Sequence, residues 1–176
     1  MKIVQVLSCL LYGDAIGNDT LAIKGIIQER GYETQIYADG IAANIAHKSA
    51  AQEMSHICRF DKNDIILLHV AIASRLNEWI KSQPCRKVMV WHNITPPQFF
   101  TPYNTGSMSS CAKGWEQVRQ LKDTFDMVLA ASEFNKKDLI DIGYNCPIHV
   151  LPILIPFNEY NKTPSERLLR KYGNDG

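Results

Sequence analysis

Two histidines stand at the ends of short apolar runs, where side chains of a folded sheet often meet a ligand. His69 lies near the end of "IILLHV" and His92 closes "KVMVWH". Imidazole can donate a hydrogen bond, accept one, or titrate near neutral pH. One histidine at a strand end is more often structural, but two at neighbouring strand ends favour a binding or catalytic cleft.

A glycine-containing junction, "YGDAIGNDT" (Tyr12–Thr20), follows the first apolar run. Gly13 and Gly17 predict a sharp turn that a ligand can approach closely, because glycine has no Cβ and tolerates positive φ. Asn18, Asp19 and Thr20 can each cap a helix start, where unpaired N–H groups and the helix dipole favour an anion. The spacing matches neither the dinucleotide fingerprint nor a P-loop, and alone it is more typical of a turn and cap.

The elements that position these residues follow from the hydrophobic pattern. Short apolar runs alternate with helix-like segments, and several runs are apolar almost throughout, as in strands buried on both faces of a parallel sheet. We therefore predict an α/β fold with a doubly wound, mostly parallel Rossmann-like sheet and helices on both faces. The predicted strands are Lys2–Ser8, Glu33–Ala38, Asp64–Val70, Arg86–His92, Asp126–Ser132 and Ile148–Pro152.

Residues 39–60 look helical throughout, so we predict no strand there and a sheet order of 2-1-3-4-5-6 for the six runs. In open parallel sheets, ligands bind beyond the carboxyl ends of the strands, where the strand order reverses. Here the reversal lies between the first and third runs. The residues just past the strand ends are Tyr12 to Asn18, His69, His92 with Asn93, and Ser132 with Glu133.

Two helices have clear end signals. Ser132 is a plausible N-cap for a helix over Glu133–Ile142, with Gly143 as its C-terminal stop. Thr163, Pro164 and Glu166 form a capping-box pattern before a helix that closes at Gly173.

The Asn93–Ser110 segment is long, rich in proline and aromatic residues, and shows no periodicity. A connection of this length in a compact domain is usually functional or disordered, and its aromatic content disfavours disorder. Phe99, Phe100 and Tyr103 either line a pocket or pack onto the domain's own core.

Composition excludes several classes. The chain has 176 residues and a net charge of +1, so no charged surface indicates nucleic acid or an anionic membrane, and we expect peripheral membrane contact at most. Five scattered cysteines without a C-x-x-C pair disfavour a disulfide framework and a zinc site and favour a reducing cytoplasm. No apolar run reaches the roughly 18 residues that a membrane span needs.

Short catalytic and metal motifs are missing as well. The sequence has no H-x-x-x-H, H-x-E or Asp-x-Asp pattern, which disfavours a metal site built from local spacing. It also lacks the G-x-S-x-G elbow of the commonest hydrolase of this fold class.

Four segments together carry a resemblance to a known family: "GDAIGNDTLAIKGIIQERGYETQIYA", "DIILLHVAIAS", "VWHNITPPQFFTPY" and "LAASEFNKKDLIDIGY". In this order they resemble the N-terminal half of a retaining glycosyltransferase of family four, the "group 1" enzymes with the two-domain GT-B fold. The resemblance covers nearly the whole chain. It implies that residues 1–157 are the N-terminal domain, and that residues 158–176 are a hinge and lead-in helix to a C-terminal domain.

The resemblance also implies roles for single residues. Gly13, Gly17 and Asn18 would bind the diphosphate of a nucleotide-sugar donor through backbone N–H groups, and His92 would lie beside the transferred sugar as the catalytic residue. The acceptor pocket would be shaped by Tyr12, Asp14, His69, Thr95, Tyr103, Ser132 and Glu133. The family works without a cofactor and generally without a metal, and its acceptors include carbohydrates, lipids and small molecules.

The sequence lacks the family's second domain with its E-x₇-E glutamate pair, which normally holds the donor. We therefore expect this chain alone to have little or no transferase activity.

Two other functions remain open from the residues. A Rossmann-type oxidoreductase would use Asp39, at the end of the second strand, to bind a ribose. A flavodoxin-like binding module would need an acidic cluster after the first strand, for which Asp14 alone is available.

Overall fold

The computed structural model describes residues 1–11, 13–42, 50–155, 157 and 161–173, and it contains one parallel sheet. The strands are β1 (Lys2–Leu10), β2 (Glu33–Ile41), β3 (Gln52–Glu53), β4 (Ile65–Val70), β5 (Arg86–Trp91), β6 (Met127–Ala130) and β7 (Ile148–Val150). The order is β3-β2-β1-β4-β5-β6-β7, and every pairing is parallel. All six predicted runs contain a strand, and their predicted order is confirmed.

The prediction of a strandless helical segment over residues 39–60 is wrong. β2 continues to Ile41, and β3 pairs with it through Tyr37 and Ala38 before a 3₁₀ turn over Met54–His56. Residues 43–49 of this segment are outside the described residues. β3 is too short for a periodic pattern to reveal it.

Helices cover both faces of the sheet. On one face, α1 (Ala15–Glu29) packs Ile23 against Leu67 and Val90 of the central strands. On the other face lie α2 (Leu76–Trp79), α3 (Thr105–Gln120) and α4 (Glu133–Ile142). They contribute Leu76, Val118 and Leu139 to a core that includes Leu68, Met89 and Val128. The doubly wound fold class is confirmed.

The segment predicted to lack periodicity, Asn93–Ser110, is partly helical. A 3₁₀ turn spans Pro97–Phe100, and α3 begins at Thr105, where the Asn104 side chain accepts a hydrogen bond from the Ser107 N–H at 2.9 Å. The pattern was hidden because the first turns of α3 are rich in serine and glycine. The irregular part of the connection is therefore shorter than the sequence indicated.

The end signals of α4 are confirmed, whereas the capping box near the C-terminus is not. Ser132 Oγ accepts from the Asn135 N–H at 3.1 Å, and Gly143 takes the left-handed conformation with φ of 100°. The last helix, α5 (Glu166–Tyr172), begins after Ser165 rather than after Thr163, and no side chain caps it. Its residues are exposed, Leu168 and Leu169 included.

Within the part of the chain that the structure describes, no helix combines the length and apolar character needed to cross a membrane.

Helix α3 packs closely on the loop after β4 at Gly114, and a substitution of this glycine tests that packing. A Cβ there would lie 2.8 Å from both Ala73 N and Ile94 Cδ1, whereas a Cβ on Gly25 of α1 would meet nothing within 4 Å. We predict that Gly114→Ala lowers the free energy of unfolding by about 1–3 kcal/mol through overpacking. Gly25→Ala, as the matched control, should be neutral or stabilising by about 0.5–1 kcal/mol. Urea unfolding of both variants measures this, and equal midpoints would contradict the packing.

Candidate functional site

Gln5, His69 and His92 lie on a diagonal across three neighbouring strands. Gln5 is in register with Leu67, two residues before His69, and His69 is in register with Val90, two residues before His92. Because side chains alternate along a strand, each step of two residues stays on the same face of the sheet, and diagonal neighbours of this kind are close enough to interact. The parallel register therefore brings these three side chains into one line.

The two imidazoles are directly hydrogen-bonded. His69 Nδ1 lies 2.9 Å from His92 Nε2, and His69 Nε2 lies 3.0 Å from Gln5 Oε1. The rings are nearly parallel, at 12°, with centroids 5.2 Å apart. The faces of stacked rings are separated by about 3.5 Å or more. Since the nitrogens are closer than that, the rings meet at their edges through a hydrogen bond.

Burial keeps both rings neutral. It lowers the pKa of His69 well below its usual value, and the neighbouring His92 lowers it further. Burial also lowers the pKa of His92 to about 4, and the negative charge of Asp14 offsets part of this effect. At neutral pH the pair is therefore an uncharged hydrogen-bonding unit, and an imidazolium at His92 is disfavoured.

The junction before α1 differs from the expectation in two details. Gly13 has φ of 73°, as predicted for a turn, but Gly17 lies inside α1, where a Cβ would be 2.8 Å from the Leu11 carbonyl oxygen. The N-cap is Asp14, so Asn18, Asp19 and Thr20 are helical residues. Asp14 Oδ2 accepts from the Gly17 N–H at 3.3 Å and the Asp14 carbonyl accepts from the Asn18 N–H at 3.0 Å.

These bonds decide which amides of the first turn remain for a ligand. Intrahelical bonding starts at Asn18, and the Asp14 carboxylate binds the Gly17 N–H. The N–H groups of Ala15 and Ile16 are the ones that helix geometry leaves to outside partners. Asp14 also acts on the charge of His92, so the start of α1 and the histidine pair share one edge of the sheet.

Asp19 is a buried carboxylate beside the pair. Its Oδ1 accepts from the Leu154 N–H at 2.8 Å, which ties the segment after β7 to α1. Burial raises its pKa, and the Leu154 bond opposes that shift. One ligand atom each from Asp19, His69 and His92 lie within 4.8 Å of one another, a donor set that suits a divalent metal. Local spacing could not reveal this cluster, because its members lie on three different elements.

Asn93 holds the chain in an unusual conformation directly after His92. Its φ is 75°, in the left-handed region that asparagine tolerates better than most residues. Its Oδ1 accepts from the Ile94 N–H at 2.6 Å, and its Nδ2 donates to Asn135 Oδ1 at 3.1 Å. These contacts fix the exit of β5 and so help to position the His92 backbone.

The other predicted site residues lie around this edge with different exposure. Ser132 and Glu133 follow β6, but the Ser132 hydroxyl caps α4. Thr95 is exposed, and Tyr103 is 86% exposed on the loop before α3. Phe99 is 65% exposed as well, so only Phe100 packs against the core. Tyr12 lies outside the described residues.

Sequence reasoning missed Gln5 and Thr20. Gln5 is completely buried, and its Nε2 donates to the Thr20 carbonyl of α1 at 2.9 Å. The signal was a single polar residue inside an otherwise apolar strand, "KIVQVL". A buried polar side chain needs a hydrogen-bond partner, but sequence alone does not show which groups supply it.

Comparison with known proteins gives a fold and no family. No protein-family model and no curated sequence matches the chain. Its structure is similar to the apo structure of OtsA, a glycosyltransferase with the GT-B fold, at a TM-score of 0.53 and 12% sequence identity. The match covers 98% of this chain and 54% of the OtsA chain, so this chain spans about half the length of that structure. The likeness shows the fold alone: a Rossmann-like α/β sheet that is consistent with one half of a GT-B fold.

The neutral histidine pair predicts a loss of stability in mild acid. An unfolded histidine titrates near 6.5, whereas folded His92 titrates near 4, so the unfolded state binds more protons between these values. The stabilisation is fully present above about pH 6.5 and is lost as the pH falls towards 4. For His92 this amounts to about 2 kcal/mol between pH 7 and pH 5.

Urea unfolding at both pH values checks this prediction. We expect His92→Gln to lose less stability than the wild type on the same change of pH. His149→Gln is the matched control, because His149 lies exposed on β7, and it should keep the wild-type pH dependence. Equal losses in His92→Gln and the wild type would show that His92 is not held neutral by the fold.

Proposed function

We propose that this chain is the acceptor-side half of a retaining glycosyltransferase of family four, which moves a sugar from a nucleotide-sugar donor to a carbohydrate, lipid or small-molecule acceptor. One observation carries the proposal: α1 begins near the hydrogen-bonded pair of His69 and His92, since the charge of Asp14 acts on His92 and the Thr20 hydroxyl lies 3.5 Å from His69 Nδ1. The fold likeness to a GT-B glycosyltransferase supports it.

The donor diphosphate would bind at the turn before α1. Gly13 is exposed and a Cβ there would meet nothing within 4 Å, so its backbone is open to close approach. The N–H groups of Ala15 and Ile16 and the positive end of the helix dipole attract an anion. Gly17 and Asn18 would donate to the phosphates only after their bonds to Asp14 are exchanged, since Asp14 accepts hydrogen bonds from both N–H groups.

His92 would contact the transferred sugar. Its neutral charge state determines which interaction it can make with that sugar. A neutral ring offers a hydrogen bond to a sugar hydroxyl and carries no positive charge that would oppose an oxocarbenium-like transition state. His69 lies behind His92 and is 5% exposed, so it acts through His92 rather than on the acceptor directly.

The acceptor would bind on the outer side of this edge. Tyr103 and Phe99 are largely exposed in the segment that follows β5, and exposed aromatic faces suit the apolar faces of sugars or a lipid chain. Tyr12, Thr95, Ser132 and Glu133 complete the proposed acceptor side. We propose no cofactor and no metal for the reaction, a cytoplasmic location, and a C-terminal donor-binding domain as the essential partner.

The alternative as an oxidoreductase is weakened by one contact. Asp39, the residue proposed to bind a ribose, is held by Arg75, whose Nε donates to Asp39 Oδ1 at 2.9 Å. The binding-module alternative has no specific contact in its favour among the described residues.

Activity assays test the proposed function. We expect no turnover of nucleotide-sugars by this chain alone, and transfer with retained anomeric configuration by a protein that joins it to a donor-binding domain. In that protein His92→Ala should lower kcat by about 10²-fold or more, as loss of a transition-state contact does. His149→Ala, at an exposed position of β7, should leave kcat unchanged. Product analysis by NMR gives the configuration.

Turnover by this chain without a partner would contradict the need for a second domain. Wild-type kcat in His92→Ala would contradict the role of His92.

A further inference from the structure

A carbonyl group of α1 determines which nitrogen atoms of the site carry hydrogen. The Thr20 carbonyl oxygen can only accept, and it lies 2.9 Å from Gln5 Nε2. The amide of Gln5 must therefore point its NH₂ group at Thr20 and its oxygen at His69, since the opposite orientation would bring two acceptor oxygens together.

The orientation of Gln5 fixes the tautomer of His69. Gln5 Oε1 lies 3.0 Å from His69 Nε2, so this nitrogen carries the hydrogen. In the neutral ring, Nδ1 is then an acceptor. The Thr20 hydroxyl lies 3.5 Å from this nitrogen, but it donates its one hydrogen to the Ile16 carbonyl at 2.7 Å.

His69 in turn fixes the tautomer of His92. Its acceptor Nδ1 lies 2.9 Å from His92 Nε2, so that nitrogen supplies the hydrogen. In a neutral ring, His92 Nδ1 is therefore unprotonated. Nδ1 is buried and has no hydrogen-bond partner among the described residues. An unpaired buried acceptor costs free energy, and a donor that reaches it is stabilised accordingly.

We propose that Gln5 and His69 are positioning residues that hold His92 in the Nε2–H tautomer. Its unprotonated Nδ1 then accepts a hydrogen bond from a hydroxyl group of the ligand when binding displaces the atoms that cover it. The identity of that ligand as a sugar rests on the proposed function, whereas the tautomer does not. The chain of bonds runs in one direction, from His92 through His69 and Gln5 to the carbonyl of Thr20.

These hydrogen positions also determine whether the cluster of Asp19, His69 and His92 can bind a metal ion. A metal held by both histidines would bind His69 Nδ1 and His92 Nε2, and His92 Nε2 would have to lose its hydrogen. The hydrogen bond and the metal are therefore mutually exclusive states of the same two nitrogens.

NMR of the ¹⁵N-histidine-labelled chain at pH 7 reads the tautomers directly. We expect pyridine-type Nδ1 and pyrrole-type Nε2 signals for both His69 and His92, assigned by loss of signals in His69→Gln and His92→Gln. A pyrrole-type Nδ1 on His92, or a fast mixture of tautomers, overturns the proposal. So does stoichiometric Zn²⁺ binding that shifts His69 Nδ1 and His92 Nε2 together while the fold is kept.

A substitution at Gln5 tests the positioning role. In Gln5→Met the Nδ1 signal of His92 should move from the pyridine-type position towards the pyrrole-type position, because His69 is no longer oriented. Gln117→Met is the matched control: Gln117 is also a buried glutamine, bound to Ser74 and Asn77, and it lies outside this chain of bonds. It should leave both histidines unchanged. Unmoved signals in folded Gln5→Met overturn the role of Gln5, and if that variant does not fold the wild-type spectrum decides.

The two proposals fail separately. Expected tautomers together with no sugar transfer by the protein that joins this chain to a donor-binding domain would remove the sugar-transfer function and leave the positioning intact. A protonated Nδ1 in an enzyme that needs His92 would remove the positioning and leave the function.

Discussion

The edge-to-edge hydrogen bond between His69 and His92 depends on the register of three parallel strands. Each residue of the diagonal lies two positions beyond the register partner of the one before it. A shift of one residue in β4 or β5 would turn an imidazole to the opposite face, under α3 rather than α1. The strand register that packs the sheet therefore also determines the geometry of the site.

Helix α1, which packs on the face of the sheet that carries the site, also fixes the positions of the site residues. Its N-terminus ends the turn at Gly13, its Thr20 carbonyl orients Gln5, and its Asp19 holds the segment that follows β7. A rotation of α1 by one residue would displace the Thr20 carbonyl and the Asp19 carboxylate together, because both belong to one turn of the helix. The close contact of Gly17 with the Leu11 carbonyl limits such movement, because the helix and the end of β1 have no space between them.

Much of the frame was readable from the sequence. The apolar runs gave the central strands and their order, and the signals at Ser132 and Gly143 gave both ends of α4. The sequence placed the junction and the two histidines at strand ends, which meet at one edge of a parallel sheet, and the structure brings the two histidines together there.

The sequence did not show which of several suitable residues would cap α1 or which group would bind Gln5. Asp14, Asn18, Asp19 and Thr20 are all good caps, and the helix begins after Asp14. β3 has two residues, fewer than any periodic signal requires. Gln5 was visible as a polar residue in a buried strand, but its partner depends on the rotation of α1, which the amphipathic pattern does not define to within one residue.

The fold alone does not define the chemistry at the edge where Gln5, His69 and His92 lie. A GT-B half fold provides the sheet edge, and many chemistries use such an edge. The proposal of sugar transfer rests on the residues at this edge: an open glycine turn at a helix start, a neutral histidine with a buried, unpaired acceptor nitrogen among the described residues, and exposed aromatic residues in the segment after β5.

Scalar coupling across the hydrogen bond between the two rings is the most direct measurement of this account. In the ¹⁵N-histidine-labelled chain the account predicts a resolved coupling between His92 Nε2 and His69 Nδ1, with the shared hydrogen on His92. If the two nitrogens are uncoupled and each exchanges its hydrogen freely with water, the rings do not form the pair on which the site depends.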